Sequence, residues 1–95
     1  MMIVRLTPLA EAELDESLEV LAERSIDAAI ARLARMQSVF GLLGQQPYMG
    51  HEGRVPGTRE FYVKGTEHLI VYRLENDVVE VLRIFFLRQD PKKLG

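Results

Sequence analysis

The sequence has no cysteine and no tryptophan in its 95 residues. Without cysteine there can be no disulfide framework, thiolate zinc site, iron–sulfur cluster or cysteine nucleophile. It also has no surplus of positive charge: 12 Lys and Arg stand against 14 Asp and Glu, a formal net charge of −2. Proteins built to hold nucleic acid neutralise phosphates with excess Lys and Arg, so the balance argues against direct sequence-specific nucleic-acid binding. Long apolar runs are missing too. Leu69-Ile70-Val71 and Ile84-Phe85-Phe86-Leu87 fall far short of the ~20 residues of a membrane span. The start, Met1 to Leu6, has neither the long apolar segment nor the small-residue cleavage site of a secretory signal. A soluble, cytoplasmic protein is expected. The length allows one core, hence one domain over 1–95, and leaves no room for a cofactor domain beside a substrate domain. No cofactor or metal is expected.

What is present is an ordinary globular composition, 47% hydrophobic and 27% charged. Met2 to Leu6 reads as a short strand, broken by Thr7-Pro8. Thr7 suits an N-cap and Pro8 the first helical position, where its missing N–H is not needed. Ala10, Leu14, Leu18 and Leu21 then form an apolar stripe on a helix ending near Arg24, with Glu13, Glu16 and Glu23 on a solvated face. Ser25 offers a second N-cap. Ala29, Leu33, Met36, Phe40 and Leu43 step by four, three, four and three, the core stripe of a second helix that ends at Gly41, Gly44 and Pro47. Pro47, Gly50, Gly53, Pro56 and Gly57 mark residues 45–57 as a loop. Three strand-like runs follow, Thr58–Val63, Glu67–Leu74 and Val78–Leu87, joined by short turns at Lys64-Gly65-Thr66 and Glu75-Asn76-Asp77. They read as an antiparallel meander. The order β-α-α-β-β-β predicts a two-layer α+β fold, with an N-terminal helical hairpin packed on a small antiparallel sheet.

A sheet covered by helices on one face should alternate apolar and polar residues. Here both faces of the last two runs are apolar. Leu69 and Val71 alternate with Ile70, Tyr72 and Leu74, and Val79, Val81 and Phe85 with Leu82, Ile84 and Phe86. Either the second face exposes an apolar patch suited to a partner, or the sheet curls round itself and buries both sides.

Four stretches together resemble the ParE/RelE toxin superfamily of bacterial toxin–antitoxin modules: Leu9-Ala10-Glu11-Ala12-Glu13-Leu14, Gln46-Pro47-Tyr48-Met49-Gly50, Thr58-Arg59-Glu60-Phe61, and Leu69 to Leu74 with Val81 to Asp90. The resemblance runs in order over nearly the whole chain and implies the same α+β fold. It also implies a cognate antitoxin as partner, in a hetero-oligomer. Two chemistries occur in the superfamily. RelE-like members cut mRNA on the ribosome; ParE-like members inhibit DNA gyrase by binding it. Cleavage through a 2′-OH needs a proton acceptor, a proton donor and cations for the developing phosphorane charge.

At the positions where the nuclease branch typically places an Arg and a His or Tyr, this chain has Leu69, Phe86 and Leu94. ParE-like chains often also carry a His at the site of Phe86. Lys64 and Arg88 remain as the cations a ribonuclease could use, and His68 and Glu52 as substitutes that no pattern brings together. The resemblance therefore implies a ParE-like gyrase inhibitor without catalysis. The alternatives are a RelE-like endoribonuclease, or an inactive member that only binds its antitoxin.

The candidate binding residues are Arg59, Arg73, Arg83 and Arg88. The first three share odd positions with Leu69, Val71 and Phe85, which would place them on one face as a cationic site for an acidic segment of antitoxin or gyrase. The competing reading pairs them with internal carboxylates such as Glu60 and Glu80, their stems packed on the sheet. His51 reads as a solvated loop residue, and His68, with no second His near it, makes no metal site. Met36 is expected in the core, and Tyr72 is expected buried with its hydroxyl bonded. The tail Asp90–Gly95 is either a target-contacting segment or a frayed end.

Overall fold

A computed structural model of the chain describes residues 1–87. β1 (Ile3–Leu6) leads through Thr7 into α1 (Pro8–Arg24), and Ser25 alone separates α1 from α2 (Ile26–Gln45). Both caps act as their residue types suggest: Thr7 Oγ1 accepts the Ala10 N–H and Ser25 Oγ the Ala28 N–H, each at 3.1 Å. β2 (His51–Glu52), β3 (Arg59–Val63), β4 (His68–Glu75) and β5 (Val78–Phe86) complete the chain. The β4–β5 hairpin closes through Asn76 and Asp77 at φ 50° and 63°. Two consecutive left-handed residues are what a tight hairpin turn requires, and Asn and Asp tolerate them best after Gly.

The sheet order is β1-β5-β4-β3-β2. β3, β4 and β5 form the expected antiparallel meander, but β1 lies parallel to β5, Ile3 opposite Val78 and Leu6 opposite Val81. The sheet is therefore mixed, not wholly antiparallel. β1 runs straight into the helical hairpin and has no neighbour in sequence to pair with, so it docks by a long crossover onto the last strand. β2, two residues within the expected loop, adds an antiparallel outer edge to β3.

The core lies between the hairpin and one sheet face. Ala10, Leu14, Met36, Val39 and Leu43 meet Val63, Ile70, Tyr72, Val79, Val81 and Ile84. Met36 and Tyr72 are fully buried, as their sequence settings suggest. The expected α2 stripe holds only in its second half. Leu33 is 37% exposed, and no residue from 15 to 35 is fully buried. Among the described residues, the turn end of the hairpin has little besides itself to pack on, so periodicity there continues without a core beneath it.

Among the described residues, no helix covers the other sheet face. Register places Tyr62, Leu69 and Phe85 in one row across β3, β4 and β5. Tyr62 and Phe85 are exposed and shield Leu69 between them, with Val71 half-buried on the same face. Of the two readings of the doubly apolar strands, the exposed patch is the one found.

Candidate functional site

The strand arginines do not share one face. Arg59 pairs in register with Tyr72, the buried core tyrosine, and so belongs to the helix side of the sheet. Arg73 and Arg83 stand opposite Glu80 and Val71, on the open side. The expected single cationic face fails because β3 pairs odd residues with even ones of β4.

Arg59 works on the loop after α2. Its guanidinium donates to the Tyr48 carbonyl at 3.1 Å and to the Gly50 carbonyl, and lies 5.2 Å from the Tyr48 ring centre. The Tyr72 hydroxyl supports the same turn, donating to the Pro47 carbonyl at 2.7 Å and accepting the Gly50 N–H at 3.1 Å. A Cβ on Gly50 would lie 2.7 Å from both the Glu60 carbonyl and the Tyr72 hydroxyl, which explains the glycine. The segment Pro47–Gly50 is thus tied to β3 and β4 by side chains from the sheet.

Arg73 meets Glu80 at 2.8 Å and Glu75 at 3.1 Å, and Arg5 reaches Glu80 at 3.6 Å. The internal pairing with Glu80 is present. Glu60 is taken by Arg54 instead of Arg59, through the Arg54 N–H at 3.1 Å and its side chain at 3.6 Å. A shallow depression of about 300 Å³ lies among Arg5, Arg73, Glu75, Asn76, Val78 and Glu80, and the pairs that line it neutralise one another.

Arg83 is bound hardest. Its Nε contacts both Glu13 carboxylate oxygens at 3.2 Å and a terminal nitrogen contacts one at 2.8 Å, while that carboxylate also accepts the Ile84 N–H at 2.9 Å. Glu13, read from sequence as solvated, is therefore a half-buried clamp. β1 stops at Leu6, Thr7 bonds the Val81 and Leu82 carbonyls, and Glu13 takes the next free backbone N–H of β5. Burial pushes the Glu13 carboxyl up, but the bonds from Arg83 and Ile84 outweigh it and hold the group below its usual 4.5. A bulge beside this point leaves Leu82 without a partner in β4, since Val71 pairs with Arg83 and Tyr72 with Val81.

Lys64 is exposed in the β3–β4 turn. Arg88 and Leu94 lie outside the described residues. Leu69 is the centre of the open apolar row, and Phe86 turns to the helix side. His51 is exposed in β2, with its ring 2.9 Å from the Glu52 carbonyl. Glu52 pairs with Arg59 at one end of β3, and His68 with Val63 at the other. Sequence reasoning underrated His68. It stands directly opposite Phe86, fully buried, with its Nε2 3.0 Å from Ser17 Oγ. Its parity with Ile70 and Tyr72 was the available signal. Among the described residues, no three His, Asp or Glu side chains gather as a metal site, and no helix is long and apolar enough to cross a membrane.

The fold is shared with solved proteins, two of which come from toxin–antitoxin systems. A chain from the chromosomal ParDE system of P. aeruginosa superposes with a TM-score of 0.71 at 19% identity, over 93% of this chain and 98% of that one. A chain from the intact E. coli RelBE toxin–antitoxin complex gives 0.60 at 12% identity, over 94% and 100%. The conserved hypothetical protein HP0894 of Helicobacter pylori gives 0.53 at 20% identity, over 88% and 92%. A search of curated proteins gives no match. The model of the ParE toxin of type II toxin–antitoxin systems matches residues 4–91. The chain belongs to the ParE toxin family. In this ParE-family toxin the strand arginines with described contacts are engaged within the chain, and the open sheet face presents Tyr62 and Phe85, on either side of the shielded Leu69, instead.

Proposed function

We propose that this ParE-family toxin acts by binding, as an inhibitor of DNA gyrase, and is held inactive by a cognate antitoxin. The open row Tyr62–Leu69–Phe85 carries the reading. It is an uncovered apolar surface beside Arg73 and Arg83, the composition of a protein-binding patch with a polar rim. The state of the polar groups supports it. Arg73 and Arg83 already face carboxylates, Arg59 faces carbonyls, and the His68 imidazole is sealed from solvent. Phosphoryl chemistry needs cations and a proton-exchanging group that reach the substrate. The solved ParDE and RelBE proteins come from toxin–antitoxin systems, which supports an antitoxin segment as the partner here.

The test runs two assays in parallel. Purified toxin is added to a gyrase supercoiling reaction and to translating ribosomes. Loss of supercoiling with intact mRNA is expected, and codon-positioned mRNA cuts overturn the reading in favour of a ribonuclease using Lys64 and Arg88. Activity in neither assay, together with tight capture of the protein encoded by the neighbouring reading frame, identifies an inactive antitoxin-binding member. Within the proposal Arg73, Arg83 and Arg88 belong to the partner-facing set, whereas Arg59 supports the loop after α2.

A further inference from the structure

Phe85 stands on the open face, opposite Leu69 and 36% exposed. An aromatic ring at such a site exchanges rotamers in water unless a neighbour fixes it. Arg83, two residues before it in β5, lies on the same face and supplies that neighbour. Glu80 and Arg83 both face the open side although three residues apart, because the bulge at Leu82 changes the alternation. The bulge therefore sends Arg83 and Phe85 to the open face, and Ile84 to the core.

The Arg83 guanidinium carbon lies 4.5 Å from the centre of the Phe85 ring. There the cation meets the electron-rich face of the ring. The same guanidinium binds Glu13, through Nε at 3.2 Å to both carboxylate oxygens and a terminal nitrogen at 2.8 Å to one. Glu13 is itself fixed by the Ile84 N–H at 2.9 Å. It belongs to α1, in the helix layer, and reaches Arg83 past the end of β1 at Leu6. A chain of contacts thus runs from the helix layer, round the edge of the sheet, to an exposed ring on the opposite face.

We propose that Glu13 and Arg83 are positioning residues for Phe85, holding its ring as a fixed anchor on the partner-binding face. The inference rests on the open row's being that face. A side chain ordered before contact loses less freedom on binding, so the complex is tighter with no contact added. Arg83 then acts through its shape as well as its charge. Lysine keeps the charge but lacks the planar fork that can hold a carboxylate and lie on a ring together.

Arg83→Lys separates this role from that of a charge facing the partner. The probe is the immobilised protein encoded by the neighbouring reading frame. Arg83→Lys and Glu13→Gln should each leave it about three- to tenfold faster than wild type. In a Phe85→Leu background the same substitutions should change the rate less than about 1.5-fold, because the ring they position is gone. Side-chain couplings measured by NMR on the free chain report the rotamer. Phe85 should hold one χ1 well in wild type and average over several in both variants, with Tyr62 unchanged. Wild-type dissociation by Arg83→Lys overturns the inference. Equal losses with and without the Phe85 ring overturn it too, since Arg83 is then a direct contact or the clamp a matter of folding alone. So does a Phe85 ring that already averages in wild type. If Arg83→Lys does not fold, Glu13→Gln carries the test by the same readings. Failure of the wild-type chain to bind is a separate result, which removes the open row as the partner face and the role of Phe85 with it.

Discussion

Glu13 and Arg83 lie 70 residues apart in the chain and form a bidentate pair, with contacts of 3.2 and 2.8 Å. The same carboxylate accepts the Ile84 N–H, so one side chain of α1 continues the work of β1 where that strand has ended. Replacing it with alanine leaves a backbone donor unsatisfied at a half-buried edge. Glu13→Ala is expected to destabilise the domain by about 1–3 kcal/mol, and Glu13→Gln by less, because the amide oxygen can still accept from Ile84. Denaturant midpoints for the two variants check the order.

The pH dependence of the same pair has a defined sign. Because Glu13 is held below 4.5 in the folded chain, the unfolded chain binds more protons in the interval beneath that value. The stabilisation is complete above the usual glutamate range and is lost as pH falls through the lower folded value. Thermal melts from pH 6 to pH 2.5 should show a steeper acid loss for wild type than for Glu13→Gln. Identical slopes count against the clamp.

The helical hairpin yields a contrast between neighbours one turn apart. Met36 is fully buried and Leu33 is 37% exposed. Met36→Ala should remove about 2–5 kcal/mol of stability, as core truncations do. Leu33→Ala should remove about 1 kcal/mol or less, since much of its side chain is already in water. Chemical denaturation of both variants checks the ratio, and equal losses would place the core further toward the hairpin turn.

That contrast marks where the sequence stops being legible. Helix periodicity, the caps at Thr7 and Ser25 and the turn at Asn76-Asp77 are local signals, and the elements they announce are present. Whether a stripe has something beneath it is not local, so Leu33 read the same as Met36. β2 is two residues long and carries no period. The parallel docking of β1, the Glu13–Arg83 clamp and the offset that puts Arg59 beside Tyr72 all depend on partners remote in sequence. The doubly apolar strands did announce an unusual second face, and their pattern left open only whether it was covered.

The open row supplies the binding prediction. Tyr62 and Phe85 are exposed beside the shielded Leu69, so a paired Tyr62→Ser, Phe85→Ser variant removes apolar contact area from the face while leaving the core intact. It should weaken antitoxin capture at least tenfold, corresponding to about 1.4 kcal/mol or more, with a far-UV spectrum unchanged from wild type. Full-strength capture by the folded variant would move the antitoxin site away from this face.

Arg59 and Arg73 separate structure from recognition most sharply, because the register sends them to opposite faces of the sheet. Arg59 spends its donors on the carbonyls of Tyr48 and Gly50, and alanine there orphans both acceptors and frees the Pro47–Gly50 turn from β3. Arg59→Ala should therefore lower thermal stability and increase amide exchange at Met49 and Gly50, and any loss of growth arrest should follow the loss of folded protein. Arg73 makes solvent-exposed pairs with Glu75 and Glu80, which contribute little to folding but stand at the rim of the open face. Arg73→Ala should leave stability nearly unchanged and slow association with the partner, most visibly at low salt, where charge steers encounter. The reverse assignment, with Arg73→Ala unfolding the chain and Arg59→Ala weakening association alone, would put the recognition surface on the helix side.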